Sequence, residues 1–388
     1  MKRETRILYL LLSGSKVGGA EVQYLYLIDG LRGKGYNPIV LCPDRGNLYE
    51  ELISWGVPVH IMRLPMWRKA KSVFTRYIAA AKLVRFAREV EADLIHSEFR
   101  MNPYLISVSR SLGLPCVSHL RGHIRPDQVR KYRFRDVTAV ISISERYKKT
   151  LIDAGVPPER ITVIHDSVDL DRFKPLNTSI NVLRRDSPTR GDVSVGIVGR
   201  IEPFKRQMEF LKAAEMVLER RKNVVFFVIG DIGSRSYFRR LLRFIGERNI
   251  GEHVIFTGPR DDMVEVLNSL DILITFSGGS VMLEAMACGK PVISVREVLK
   301  TVPANLNWQI VRDGETGFVI QRDDIDALVE TIVRLIDDPD LRVRLGDEGR
   351  RWAEERFGHE QMIRKTQEVY EGLLKGIDKP ARSRIIPS

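Results

Sequence analysis

The sequence predicts an α/β protein of two units, each built on its own parallel sheet. Three observations carry this. Short apolar runs alternate with amphipathic helical stretches along most of the 388 residues. A polar, aperiodic stretch at 177–192, NTSINVLRRDSPTRGD, interrupts the rhythm and reads as a linker. Beyond it the strand–helix alternation restarts, as a second sheet would require. The length is enough for two buried cores.

In order, residues 6–12 read as a first buried strand, 13–19 as a glycine loop and 20–31 as a helix. Strand-like runs follow at 38–42 and 57–62, and a helix with a basic face at 72–88. Residues 93–96, 115–119 and 138–143 are further strands separated by helical stretches. After the linker come a strand at 193–198, a helix at 206–220, and strands at 224–229, 254–257, 271–275 and 291–295. The crossovers should be right-handed. The units are expected at 1–180 and 181–358. A C-terminal helical segment, 359–378, should pack back toward the first unit, ahead of a polar tail at 379–388.

The formal net charge of +12 favours anionic partners: nucleic acid, an acidic membrane surface or phosphorylated small molecules. Cys42, Cys116 and Cys288 are far apart, lack metal-site spacing and read as reduced thiols of a cytoplasmic protein. The start, MKRETRILYLLLSGS, has a short apolar run that leads straight into glycines, so it reads as a strand and not as a leader. No run has the length of a membrane span.

In open parallel sheets, ligands bind beyond the carboxyl ends of the strands. Four such loops stand out. SGSKVGG at 13–19 lets the backbone approach a ligand and opens a helix, although a tight packing turn explains it equally well. GRIEPFK at 199–205 places Arg200 and Lys205 beside a helix start, which suits a diphosphate, or leaves two solvated charges. FSGGS at 276–280 opens a short helix. It offers amides and the Ser280 hydroxyl, with Glu284 one turn in, placed to accept bonds from sugar or ribose hydroxyls or to serve as a structural acid. HLRGH at 119–123 carries His119, Arg121 and His123, which could act on phosphate or move protons but are also common structural residues. There is no G-x-S-x-G elbow and no HExxH. Asp169 and Asp171 sit in VDLDRF, where turn chemistry explains them, so no metal or other cofactor is expected.

Taken together, these strings resemble glycosyltransferase family 4, the retaining group 1 transferases of the GT-B fold. The strings are GGAE at 18–21, VIHDSVDLDRF at 163–173, VGRIEPFK at 198–205, VIFTGPRDDM at 254–263, LEAMACGKPVI at 283–293 and DGETGFVI at 313–320. The resemblance spans nearly the whole chain and implies two Rossmann-like domains facing each other across a cleft. It implies a hexosyltransferase that moves a sugar from a nucleoside-diphosphate sugar to a saccharide or lipid-linked acceptor, in glycan, envelope polysaccharide or glycolipid synthesis. Arg200 and Lys205 would hold the diphosphate as catalytic cations. Gly279, Ser280 and Val281 would touch the phosphates, Glu284 the ribose and Arg260 the base. Gly18 and Gly19 would approach the donor or acceptor. Arg121 takes the position of the family's usual histidine and would act by charge, with His119 and His123 beside it on the acceptor side. Asp166 and Ser167 stand where the family usually has Asn-Gly. Eight positions before Glu284, where the family has a first acid near the donor sugar, stands Phe276.

Two alternatives accompany this reading: a sugar-nucleotide epimerase or phosphorylase of related fold, and a degenerate protein that binds a nucleotide sugar without transfer. Two clusters, Trp67, Arg68, Lys69, Lys71, Phe74, Arg76 and Tyr77, and Arg130, Lys131, Arg133, Phe134 and Arg135, suggest an anionic membrane face. A generally basic surface explains them almost as well. The protein is then cytoplasmic and peripheral on the inner face of the membrane. No nucleic-acid motif is present.

Overall fold

The computed structural model describes residues 3–15, 19–67, 73–176, 181–183, 193–296 and 310–375. The chain forms two compact units. One takes the chain up to Asp166 and again from His359, and the other is Ser167–Gly358.

The first unit holds a seven-stranded parallel sheet: β1 (Thr5–Leu10), β2 (Tyr36–Cys42), β3 (Val59–Ile61), β4 (Leu94–Glu98), β5 (Cys116–Leu120), β6 (Ala139–Ser142) and β7 (Ile161–Val163). Their spatial order is β3-β2-β1-β4-β5-β6-β7. Alternate side chains feed two cores, as a sheet covered on both faces requires. Leu8, Leu10, Ile95 and Cys116 pack with Leu83 and Tyr104 from helices Val73–Glu89 and Asn102–Leu112. Ile7, Tyr9, Leu94 and Val117 pack with Leu27, Ile28, Met362 and Tyr370 from helices Gly19–Leu31 and His359–Lys375.

The second unit has a six-stranded parallel sheet: β8 (Val193–Val198), β9 (Val224–Ile229), β10 (Val254–Gly258), β11 (Ile272–Thr275), β12 (Val292–Arg296) and β13 (Gly317–Gln321). The order is β10-β9-β8-β11-β12-β13. In each sheet the winding reverses beside the first strand, between β1 and β4 and between β8 and β11. That reversal is where open α/β sheets leave room for ligands.

Two expectations change. The stretch at 177–192 is not uniformly a linker. Leu183 is fully buried in the second core, the Asn181 side chain donates to the carbonyl of Ser269 (3.1 Å), and Val182 N–H donates to Ser269 Oγ (3.0 Å). The boundary also falls at Asp166/Ser167, ahead of 180/181. Val168 and Phe173 are buried with Trp352 and Phe357, and Val168 N–H bonds the Phe357 carbonyl (2.8 Å), so this segment is core of the second unit. The edge strands β7 and β13 were not anticipated as strands. All three cysteines are buried and free. Among the described residues, no helix is long and apolar enough to cross a membrane.

Candidate functional site

The switch point of the second sheet joins two loops. β8 pairs with β11, so the segments that follow these strands leave the sheet side by side. After β8, Gly199 and Ile201 keep the ladder going by donating to the carbonyls of Ile229 (2.9 Å) and Asp231 (2.8 Å). The fully buried Gln207 holds the loop from below, its amide donating to the Arg200 carbonyl (3.0 Å). A single turn, Pro203–Lys205, returns Lys205 over Gly199. A β-carbon at Gly199, where φ is 140°, would stand 3.1 Å from Lys205 Cε. Burial first, and Arg200 second, push the Lys205 ammonium below its ordinary value, against Glu202, which raises it. Arg200 lies 3.7 Å from Glu202 and keeps 53% of its side chain exposed. A desolvated lysine beside an exposed arginine leaves positive charge only partly compensated, ready for an anionic ligand.

After β11 the chain turns through Gly278 (φ 67°) and Gly279 (φ 108°) into helix Ser280–Ala287. These dihedrals favour glycine. No side chain caps the helix, so its first amides point outward as an anion-binding end. Glu284 is half-buried one turn in. Burial pushes its carboxyl up, while a bond from Ser280 and the charge of Arg172 pull it down. Arg172, from VDLDRF, was not singled out in the sequence, although its place in a recurrent string was a signal. Arg260 is clamped by both carboxylate oxygens of Asp262 (2.7 and 2.5 Å) and is 21% exposed. Phe276 turns the other way. It is 7% exposed in the opposite core and lines a small cavity with Val295, Ile325 and Leu328.

In the first unit, Gly19 opens helix Gly19–Leu31, and Gly18 lies outside the described residues. His123 is exposed. Arg121 is not: 3% of its side chain reaches solvent. It pairs with Asp166, lies over the Tyr24 ring (5.1 Å) and donates to His119 Nδ1 (3.3 Å). A guanidinium only donates, so the proton of His119 sits on Nε2, which is buried without a partner. His119 stacks on His96 (5.4 Å, 7°). His96 Nδ1 meets the Tyr370 hydroxyl (2.5 Å), which meets Tyr9 (3.1 Å). Burial holds His96 down to about 3 and His119 well below its usual range, so both are neutral. His96, Tyr24 and Tyr370 were missed, and Asp166 was noted only as a departure from a recurrent string, because the packing of helices Gly19–Leu31 and His359–Lys375 on the sheet brings them together.

The basic clusters are also redrawn. Arg76 is buried over Trp67 (5.2 Å), which packs against the core of the first unit, Phe134 is fully buried in that core, and Arg133 pairs with Asp136. Phe74, Tyr77 and Ile78 do stand exposed, at 77%, 64% and 43%. Arg68, Lys69 and Lys71 lie outside the described residues.

Comparison with known proteins places both units. The family described as "Glycosyl transferases group 1" matches residues 182–352, and "Glycosyltransferase Family 4" matches residues 17–172. An Escherichia coli UDP-Gal:alpha-D-GlcNAc-diphosphoundecaprenol alpha-1,3-galactosyltransferase is 24% identical, covering 85% of this chain and 90% of that relative. The Staphylococcus aureus capsular polysaccharide biosynthesis glycosyltransferase CapM is 25% identical over 61% of this chain and 62% of its own length. Anabaena HepE, solved with UDP and glucose, superposes with a TM-score of 0.79 at 24% identity, covering 95% of this chain and all of that one. A glycosyltransferase from Rickettsia africae superposes with a TM-score of 0.82 at 19% identity, over 96% of this chain and all of that one.

Proposed function

Because the chain belongs to the group 1, family 4 glycosyl transferases and has the two-domain Rossmann-like GT-B fold, we propose that it moves a hexosyl group, with retention, from a nucleoside-diphosphate sugar to a saccharide or lipid-linked acceptor. The observation that carries this is the pairing of two loops at one switch point. Arg200 and the desolvated Lys205 stand on one, and an uncapped helix start with Glu284 stands on the other. The cations and the amides of Ser280 and Val281, with Gly279, take the diphosphate. Glu284 takes the ribose hydroxyls, and Arg260, held flat by Asp262, borders the base. The reading gives leaving-group charge to Arg200 and Lys205 and assigns no metal.

In the chemical step the bond from the anomeric carbon to the phosphate oxygen breaks. The acceptor oxygen bonds that carbon from the same face, and its proton passes to the departing phosphate oxygen. The cations stabilise the charge that gathers on the diphosphate, and orientation supplies most of the remainder. His119, Arg121 and His123 are assigned to the acceptor side, with Arg121 working as a buried, compensated charge that fixes His119, and Gly18 and Gly19 to the approach of donor or acceptor.

The relatives' printed names supply the acceptor class: one acts on a diphosphoundecaprenol-linked sugar and another in capsular polysaccharide synthesis. The exposed Phe74, Tyr77 and Ile78, with Lys82 and Arg85 on the same helix, suit an anionic membrane on the cytoplasmic side, where such an acceptor is reached. The test incubates the chain with UDP- and GDP-sugars and lipid-diphosphate sugars, reads the acceptor mass and assigns the anomeric configuration by NMR. A mass gain with a retained anomer is expected, and an inverted product overturns the retaining step. Phe276, buried where a first acid would stand, favours one second reading, a protein that binds the nucleotide sugar only. Tight nucleotide binding with neither hydrolysis nor transfer would support it.

A further inference from the structure

Helix Arg235–Glu247 in the second unit, RSYFRRLLRFIGE, has four arginines and a single acid at its last position. Tyr237, Leu241 and Ile245 anchor it in the core, and Ser234 caps it by accepting from Tyr237 N–H. Arg235, Arg239 and Arg243 follow one another at four-residue spacing on the opposite, exposed face. Among the described residues, none of the three has an ion-pair partner. Other helices of this chain pair such positions with acids: Arg85 with Glu89, Lys149 with Asp153, Arg350 with Glu354 and Arg364 with Glu368. Like charges four apart repel and weaken a helix, so the stripe costs the fold something and gains nothing internally. Leu242 lies on the same face, 46% exposed, and Ile232, 42% exposed, stands just ahead of the helix.

We propose that this face of the second unit docks on an anionic lipid bilayer, with the arginines at headgroup phosphates and Leu242 entering the interface. Charge complementarity fixes the sign of the partner, and the exposed aliphatics favour lipid. A single-stranded nucleic acid would need exposed aromatic platforms, and here Tyr237 is buried while Phe238 and Phe244 are half-buried. The proposal stands apart from transfer chemistry and from the surface around Phe74.

The test is co-sedimentation of the full chain with phosphatidylcholine vesicles, with and without phosphatidylglycerol, at low and high salt. Arg239→Glu/Arg243→Glu should weaken binding to phosphatidylglycerol vesicles by about tenfold or more, given the usual contribution of each basic residue. Arg239→Lys/Arg243→Lys should bind like the parent, and Leu242→Ser should weaken binding at both salt levels. Phe74→Ser/Tyr77→Ser reports the other surface separately. Unchanged thermal unfolding and unchanged transfer to a soluble acceptor show that the fold and chemistry are intact. Parent-like binding by the glutamate pair, or equal binding to pure phosphatidylcholine, overturns the proposal. Loss of transfer with binding retained would count against the function reading alone.

Discussion

The guanidinium of Arg121 and the carboxylate of Asp166 close on each other inside the first unit, 45 residues apart in sequence. Both depart from the pattern of the family, in which a histidine and an asparagine are usual at these places, and the two departures compensate each other's charge. Removing one partner strands the other in a buried setting. Asp166→Ala should therefore lower stability by about 3–5 kcal/mol, whereas Arg121→Met/Asp166→Leu should recover most of the loss. Denaturant unfolding of the single and double variants checks this, and a loss below about 1 kcal/mol for Asp166→Ala would show the pair to be incidental.

Lys205 should matter for turnover and not for folding. Lys205→Ala is expected to cut transfer by about a hundredfold to a thousandfold, as loss of a charge-stabilising donor does, while thermal unfolding without ligand stays near the parent value. Gly199→Ala should act in the same direction, since its β-carbon would press on Lys205 Cε. Initial rates at saturating donor separate turnover from affinity.

Glu284 titrates in the opposite sense to a paired surface acid. Its carboxyl is raised, chiefly by burial, so ionising it disfavours the folded state. The stability it adds is complete below its unfolded value and is lost as pH rises through the folded one. Glu284→Gln should thus be at least as stable as the parent at neutral pH yet bind UDP-sugar more weakly. The parent should lose donor affinity as pH falls through the raised value, while the glutamine variant should not. Calorimetric titration across pH 4–8 tests both halves (the range brackets the usual carboxylate value of about 4.3).

His96 supplies the acid limit of the first unit. Its folded value, about 3, lies below the usual one, so its contribution is present above about 6.5 and is lost as pH falls toward 3. Between pH 6.5 and 5 the loss should be about 1.6 kcal/mol for His96 alone, since the slope reaches about 1.4 kcal/mol per unit only once the unfolded imidazole is fully protonated. His119 acts in the same direction. His96→Asn should flatten the slope in a pH series of urea midpoints.

Phe276→Glu should restore nothing. The side chain lines its cavity with Val295 and Leu328, and the Arg206 there is already paired with Glu209 and Asp323, so a carboxylate would be buried beside other acids and without a cation of its own. The second unit should lose several kcal/mol of stability with no gain in transfer, whereas Phe276→Leu should cost about 1–2 kcal/mol. Thermal unfolding and a donor panel read the two effects.

Long apolar strands such as Val193–Val198 and Val224–Ile229 were plain in the sequence, because a strand buried on both faces is a continuous apolar run. β7 was hidden, since three residues with mixed exposure at a sheet edge leave no periodicity to count. The nucleotide loops were legible because glycines and charges cluster locally. The Arg121–Asp166 pair and the Tyr370–His96 contact were not, because they depend on the strand order and on where the helix His359–Lys375 packs. The direction in which Phe276 points was equally hidden, since a turn through two positive-φ glycines can send the preceding side chain to either face.

The contact between Tyr370 and His96 also sets an order of manufacture. A ribosome delivers the seven strands of the first sheet, then all of Ser167–Gly358, and only then the helix His359–Lys375. Until that helix emerges, the face carrying Tyr9, Tyr36 and His96 has no cover from Met362, Ile363 and Tyr370. The unit translated second is therefore complete before the one translated first. A stalled or nicked chain ending before His359 would present an open aromatic face to chaperones and proteases.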